Sequence, residues 1–336
     1  MTIDIAELRR AAATIEGVAE RTPVLTDPRF DPPGGSTFHK LEAAQRAGSF
    51  KFRGAFNRLS NIPIGERANG VVAVSSGNHG AAVACAASLL GLTATVYIPE
   101  DTPTVKRDLI EEFGATVVTF DRSVPDREAA PRAHASRVGA TFVHPYEDPL
   151  VQAGQGTAAL ELFDEVGPLD ALLVPMSGGG LMAGCASAAH AVAPGCRMIG
   201  VEPEVADDTR RSLVAGERIA IANPPTIADG LAVTIPGERT FEINRRLVSE
   251  VVTVSESEIV AAMRRFSDVF DRRIEPSGAV GVAALAALIG ADPDGWSGRR
   301  VGVVISGGNI DHQRFDELIG RSQTDDEQRR LPGAQL

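Results

Sequence analysis

The feature that most constrains this chain is an alternation. Short β-branched runs, Val71-Val72-Ala73-Val74, Ala94 to Ile98, Ala115 to Phe120 and Thr141-Phe142-Val143, are separated by stretches of helical spacing at about 78–90, 103–113 and 126–138. Such continuous apolar runs are strands covered on both faces, and the helices between them are the crossovers that parallel strands require. A second alternation follows, with helix 150–165, strand Ala171-Leu172-Leu173-Val174, helix 180–193 and strand Met198 to Val201. It continues with strand Val251 to Val254, Ser255 as the N-cap of helix 256–270, helix 277–289 and strand Val301 to Ile305. Residues 3–20 read as an amphipathic helix closed by Thr22-Pro23, 26–36 as a loop, Thr37 to Leu41 as a short strand and 51–60 as a helix. The region 203–250 reads as irregular and polar, and the tail from Arg321 to Leu336 as frayed. The expected class is α/β: two open, twisted, mainly parallel sheets with helices on both faces and a ligand cleft between them.

Composition narrows the function classes. The 336 residues suggest two domains at roughly 150 residues each. A net charge of −11 disfavours a nucleic-acid binder, which needs cations to displace counterions from phosphates. Thirteen Phe, two Tyr and one Trp leave little for base stacking. Cys85, Cys185 and Cys196 are widely spaced and read as small buried hydrophobes of a reduced cytosol. The longest stretch without Asp, Glu, Lys or Arg, Val71 to Pro99, is broken by Ser75 to Gly80, so no membrane span is expected. Asp4 and Glu7 stand where a secretory signal needs an apolar core, and a cytoplasmic location is expected.

Four loops lie just beyond expected strands or at helix starts, where open α/β sheets bind ligands. Lys51 sits between Phe50 and Phe52 at a helix start. Both surroundings lower an ammonium pKa, and a neutral amine is what Schiff-base chemistry needs; the alternative is a surface lysine. Ser75-Ser76-Gly77-Asn78-His79-Gly80 offers hydroxyls, an amide and helix N-terminal N–H groups to an anion, or is an N-cap with turn glycines. His79 reads better as a packed histidine than as a base. Ser177-Gly178-Gly179-Gly180 suits a lone phosphate monoester, since neither G-x-G-x-x-G nor G-x-x-x-x-G-K-[ST] fits; a plain tight turn is the alternative. Ser306-Gly307-Gly308-Asn309 ends the last strand. Glu202, Asp207 and Asp208 are spaced for Mg²⁺ or Ca²⁺, or form a solvated acidic loop.

Together these loops are far more specific. Lys40-Leu41-Glu42-x-x-Gln45-x-x-Gly48-Ser49-Phe50-Lys51-x-Arg53-Gly54-Ala55 resembles the Schiff-base signature of the serine/threonine dehydratase and serine racemase family. These are fold-type-II, tryptophan-synthase-β-like pyridoxal-phosphate enzymes. Ser75 to Gly80 resembles the family's asparagine loop, and Ser177 to Gly180 its tetraglycine loop with Ser177 for the first glycine. Ser306 to Asn309, Val143-His144-Pro145 and Ala153-Gly154-Gln155-Gly156-Thr157 also match, in the family's order, over about 20–315.

The resemblance implies roles. Lys51 would bind the cofactor covalently and take the Cα proton. Asn78 would bond the ring oxygen, the Ser177, Gly178, Gly179 and Gly180 backbone would hold the phosphate, and Ser306 would face the pyridine nitrogen. Ser75, Ser76, Asn78 and the His79 backbone would bind the substrate carboxylate. Ser76 matches the residue that serves the opposite face in racemases, and Arg127 matches a racemase-type arginine. Glu202, the Ala206 carbonyl and Asp208 match a divalent-metal site, for Mg²⁺ or else Ca²⁺ or Mn²⁺. The implied layout is a small domain, 69–147, inserted into a large cofactor-binding domain, 1–68 plus 148–320, with a flexible tail, 321–336. The implied activity is dehydration of a β-hydroxy amino acid, L-threonine or L-serine, by a homodimer. The alternatives are an amino-acid racemase with side dehydratase activity and a 3-hydroxyaspartate dehydratase. A colourless, non-catalytic phosphate-ligand sensor is the reading from another class. Tyr146 departs from the racemases' asparagine, which bears on the substrate-side contacts, and Ala81 departs from their glutamine, so nucleotide activation is not implied.

Overall fold

The computed structural model describes residues 2–321 apart from 76, 103, 122, 123 and 125, and residue 105 without its side chain. In chain order the elements are α1 (Ile5–Ile15), β1 (Val24–Leu25), β2 (Ser36–Leu41), α2 (Lys51–Ser60), β3 (Val71–Val74), α3 (Asn78–Leu90), β4 (Ala94–Pro99) and α4 (Thr104–Glu112). Then come β5 (Thr116–Phe120), α5 (Ala129–Val138), β6 (Thr141–Phe142), α6 (Pro149–Val166), β7 (Ala171–Pro175), α7 (Gly180–Val192) and β8 (Arg197–Pro203). The last are α8 (Asp208–Ala215), α9 (Glu238–Leu247), β9 (Glu250–Val254), α10 (Glu256–Phe270), α11 (Pro276–Ala291), β10 (Arg300–Ile305) and α12 (His312–Ile319).

Two sheets form. One has the order β5-β4-β3-β6 and is parallel throughout. The other has the order β1-β2-β10-β7-β8-β9, parallel except for the antiparallel β1–β2 edge pair. Every residue of β7 is buried, and in β10 only Arg300 is not, as expected for strands covered on both faces. The expected α/β class is observed.

A buried charge cluster explains part of the lysine motif. The Arg53 guanidinium, fully buried, donates to Glu42 Oε2 and Glu161 Oε1, both at 2.7 Å. Lys40 Nζ donates to Glu161 Oε2 at 2.7 Å. Two cations meet two carboxylates, so the desolvated charges cancel. The cluster ties α2 to α6 and to the end of β2, and α2 begins at Lys51.

Some expectations fail for stated reasons. Helix α1 stops at Ile15, well before Thr22-Pro23, because Glu16 leaves helical geometry with ψ 134°. The stretch expected to be irregular contains α8 and α9. The first N–H groups of α9 are capped by the distant Glu147, which accepts from Arg239 N at 3.0 Å. A local reading cannot see that cap. The frayed-tail expectation lies outside the described residues except at Arg321, whose N–H donates to Asp316 O at 2.9 Å. Cys85 and Cys185 are buried and Cys196 half-buried. No helix among the described residues is long and apolar enough to cross a membrane.

Candidate active site

The cleft between the sheets holds a cavity of about 310 Å³, lined at the strand ends and helix starts by the loops singled out above. The lysine loop and the last strand loop are paired. Phe50 N–H donates to Ser306 O at 3.1 Å, and Gly308 N–H to Gly48 O at 3.0 Å. This brings Lys51 and Ser306 to one wall of the cavity. Lys51 Nζ donates to Pro145 O at 2.9 Å. Burial lowers its pKa from the ordinary 10.5 to about 8, so a sizeable fraction of the amine is neutral near physiological pH. Ser306 Oγ is buried and donates to Ser277 O at 3.3 Å.

Asn78 opens α3 and is held on two sides. Its Nδ2 donates to Glu275 Oε1 at 2.6 Å, and its Oδ1 accepts from Asn309 Nδ2 at 2.7 Å. Burial, with the Asp229 charge nearby, raises the Glu275 carboxyl to about 7. Ser75 Oγ accepts from Gly77 N–H at 3.2 Å, the local bond that shapes the asparagine loop. Ser76 lies outside the described residues. His79 turns its ring away: Nε2 donates to Val143 O at 2.9 Å, and burial lowers its pKa to about 3. A neutral, packed histidine can offer the cleft only its backbone.

The Ser177–Gly180 loop joins β7 to α7. Gly179 has φ +89°, a conformation that L side chains rarely adopt. A Cβ on Gly178 would sit 2.4 Å from the Tyr146 ring. The loop carbonyls are tied down from α9: Thr240 Oγ1 donates to Gly178 O at 2.5 Å and Asn244 Nδ2 to Gly179 O at 3.2 Å. The N–H groups at the head of α7 have no carbonyl one turn earlier to bond, and with the helix dipole they suit a phosphate. A half-buried amine of lowered pKa facing such a cradle fits pyridoxal phosphate.

Arg127 and Lys106 also line the cavity, and Lys106 pairs with Asp229, another lining residue. Glu128, next to Arg127, lies 3.0 Å from His144 Nε2.

Glu202 and Asp208 are both fully buried at the end of β8. Glu202 accepts from the N–H groups of Thr209 and Arg210 at 3.1 and 2.9 Å. Neither oxygen of Asp208 has a hydrogen-bond partner. Burial pushes Glu202 up to about 7, and burial with the Glu202 charge pushes Asp208 up to about 8. Two buried oxygen donors, one of them orphaned, fit a hard divalent cation. No cluster of three or more His, Cys, Asp or Glu is present among the described residues, so such an ion would rely on backbone oxygen such as that of Ala206.

The comparisons with known proteins agree with this geometry. A family model for pyridoxal-phosphate dependent enzymes matches residues 15–307. The chain belongs to that family. An L-threo-3-hydroxyaspartate ammonia-lyase of a Pseudomonas species is 45% identical to this pyridoxal-phosphate enzyme over 92% of its chain and 96% of the relative. A protein of the same name from Saccharomyces cerevisiae is 42% identical over 92% and 94%. The structure of maize serine racemase superimposes with TM-score 0.90 at 36% identity, covering 98% of this chain and 99% of the other.

The cleft also contains residues that the sequence reading did not single out: Lys106, Glu128, Asp229 and Glu275, with Thr240 and Asn244 behind the phosphate loop. One signal was available for Lys106. The enzyme has only three lysines, Lys40, Lys51 and Lys106. One is neutralised in the buried cluster and two face the cleft.

Proposed function

We propose that this enzyme is a pyridoxal-phosphate-dependent ammonia-lyase of β-hydroxy amino acids and that 3-hydroxyaspartate is its preferred substrate. Water leaves across the Cα–Cβ bond, and the resulting enamine hydrolyses to a 2-oxo acid and ammonia. Net, the water lost is regained. L-Serine and L-threonine are handled by the same chemistry. The observation that carries the preference is the pair of cations, Arg127 and Lys106, among the residues that line the cavity with Lys51. A second carboxylate on the substrate needs a cation. The names of the Pseudomonas and yeast relatives point the same way.

Pyridoxal phosphate, when bound, supplies an electron sink that makes the Cα proton removable. Lys51 is the group that links to it and then takes that proton; an amine of pKa about 8 serves both as nucleophile and as base near neutral pH. The Ser177–Gly180 N–H groups would hold the phosphate, and Asn78 would present its amide to the ring oxygen. Ser306 would face the ring nitrogen with a neutral hydroxyl, which supports a positive charge there less than a carboxylate would. Ser75, Ser76, Asn78 and the His79 backbone receive the α-carboxylate, and Arg127 the distal one. Glu202, the Ala206 carbonyl and Asp208 would hold Mg²⁺ or a similar divalent cation, whose charge would offset two buried carboxyls. We further propose that 69–147 moves as a small domain on the remainder, and that the enzyme is a cytoplasmic homodimer.

The maize likeness favours a second reading, serine racemisation. It requires an acid–base group on the face opposite Lys51, and Ser76 is the candidate. A coupled 2-oxo-acid assay with L-threo-3-hydroxyaspartate, L-threonine and L- and D-serine, with Mg²⁺ or chelator, tests both. The expected kcat/KM is at least about tenfold higher for hydroxyaspartate than for serine. Arg127→Ala should cut the hydroxyaspartate value about 10- to 100-fold and the serine value far less, the cost of one charge-assisted contact. Equal losses on both substrates would remove Arg127 from the distal subsite. D-serine formation that is lost in Ser76→Ala, while L-dehydration persists, would establish the racemase reading.

A further inference from the structure

Loop 144–147 touches both the lysine and the phosphate loop of the candidate site. The Pro145 carbonyl accepts from Lys51 Nζ at 2.9 Å. The Tyr146 ring packs against Gly178, and its Cα and Cβ against Gly180. Glu147 caps α9 through Arg239 N–H at 3.0 Å, and Thr240 of that helix holds the Gly178 carbonyl. One short loop therefore meets the lysine amine on one side and the phosphate cradle on the other.

His144 holds this loop in shape. Its Nδ1 accepts from Tyr146 N–H at 3.2 Å and from Glu147 N–H at 2.9 Å. With two donors aimed at it, Nδ1 is the bare nitrogen and the ring proton sits on Nε2. Nε2 lies 3.0 Å from Glu128 Oε1, and the two side chains are only 12% and 29% exposed. The other Glu128 oxygen accepts from Arg132 at 2.6 and 2.9 Å, so the carboxylate is itself fixed in orientation. Burial pushes the Glu128 carboxyl up, but the hydrogen bonds from His144 and Arg132 outweigh it and hold the group below its ordinary value. The tyrosine ring also meets the imidazole edge to face at 4.5 Å.

We propose that His144, oriented by Glu128, is a positioning residue for Lys51: it fixes the Pro145 carbonyl at which the lysine amine is aimed and, through Tyr146, the phosphate cradle facing it. The inference rests on Lys51 being the cofactor-binding lysine. Glu128 follows Arg127 in the same turn, so the segment that meets the substrate also sets the lysine.

Conservative variants separate this role from simple folding. Asparagine at 144 can accept from N–H groups two and three residues ahead through its amide oxygen, as in Asx turns, while losing the link to Glu128. Glutamine at 128 keeps an oxygen acceptor for Nε2. Apoprotein is mixed with pyridoxal phosphate, and the rate at which the lysine-linked visible absorbance grows is measured, with circular-dichroism melting of each apoprotein as a control. His144→Ala and Glu128→Ala are expected to slow linkage about tenfold, the effect of one positioning hydrogen bond. His144→Asn and Glu128→Gln should recover most of that loss. Glu128→Ala should add nothing in the His144→Asn background, since Glu128 acts only through the ring. Alanine variants that link at the wild-type rate, or Asn and Gln variants as slow as their alanine counterparts, would overturn the proposal. Should His144→Ala not fold, the Glu128 pair decides it alone. A wild-type protein that forms no lysine link would overturn the Lys51 reading, and the proposal with it.

Discussion

His39 shows what burial does to a single titratable residue here. It sits in a box of Phe30, Phe266 and Phe270, with ring centroids 4.8 to 5.7 Å away. Its Nδ1 donates to Leu25 O at 3.2 Å, and Nε2 has no partner. Burial lowers its pKa from 6.5 to about 4. The unfolded chain therefore binds a proton near pH 6.5 that the native state refuses until about pH 4. Stability is full above pH 6.5 and is lost as pH falls toward the native pKa. His79 acts in the same direction. Between pH 8 and pH 5 the His39 share is on the order of 2 kcal/mol. His39→Phe should flatten the fall in melting temperature across that range; an unchanged pH slope would show that His39 is not the titrating group. Lys51 obeys the same physics: burial lowers its pKa to about 8, at a cost in stability near neutral pH, and leaves an amine fit for chemistry.

At the scale of elements, the phosphate loop depends on neighbours far away in sequence. The β7–α7 turn is short of side chains because Tyr146 fills the space on one side and α9 ties its carbonyls on the other. Gly178→Ala should lower affinity for pyridoxal phosphate at least about tenfold, because its Cβ would overlap the Tyr146 ring. Tyr146→Ala in the same chain should restore part of it, and equilibrium titration of the apoprotein reads both. Full affinity in Gly178→Ala alone would refute this packing argument. The loop itself was legible, since Ser177-Gly178-Gly179-Gly180 between a strand and a helix is a local pattern. Its support was not. Thr240 and Asn244 lie on a helix capped by Glu147, about 90 residues away in sequence, and local periodicity carries no trace of such a cap. The alternation of strands and helices was legible for the same reason that the loop was: β7 and β10 are apolar along nearly their whole length. Helix α1 ends at a local signal, Gly17 with φ +72° directly after the Glu16 cap, whereas the amphipathic spacing read on past it to Thr22-Pro23.

At the scale of the whole molecule, two parallel sheets set their strand ends and helix starts around one cleft. Lys106 and Asp229 join its two rims. Glu275 and Asn78 meet within it, although 197 positions separate them in the chain. Such convergence made the chemistry partly invisible in sequence. Lys51, Asn78 and Ser306 stood out because each lies in a dense motif. Glu275 sits in plain surroundings and is recognised only by what the fold brings opposite it. The three lysines give the account a direct test. Lys40 is buried and bonded to Glu161, Lys106 pairs with Asp229, and Lys51 is a half-buried amine of lowered pKa on the cavity wall. Borohydride reduction of the reconstituted holoenzyme, followed by peptide mapping, should place the pyridoxyl group on Lys51 and nowhere else. A label on Lys40 or Lys106, or no label at all, would contradict the account.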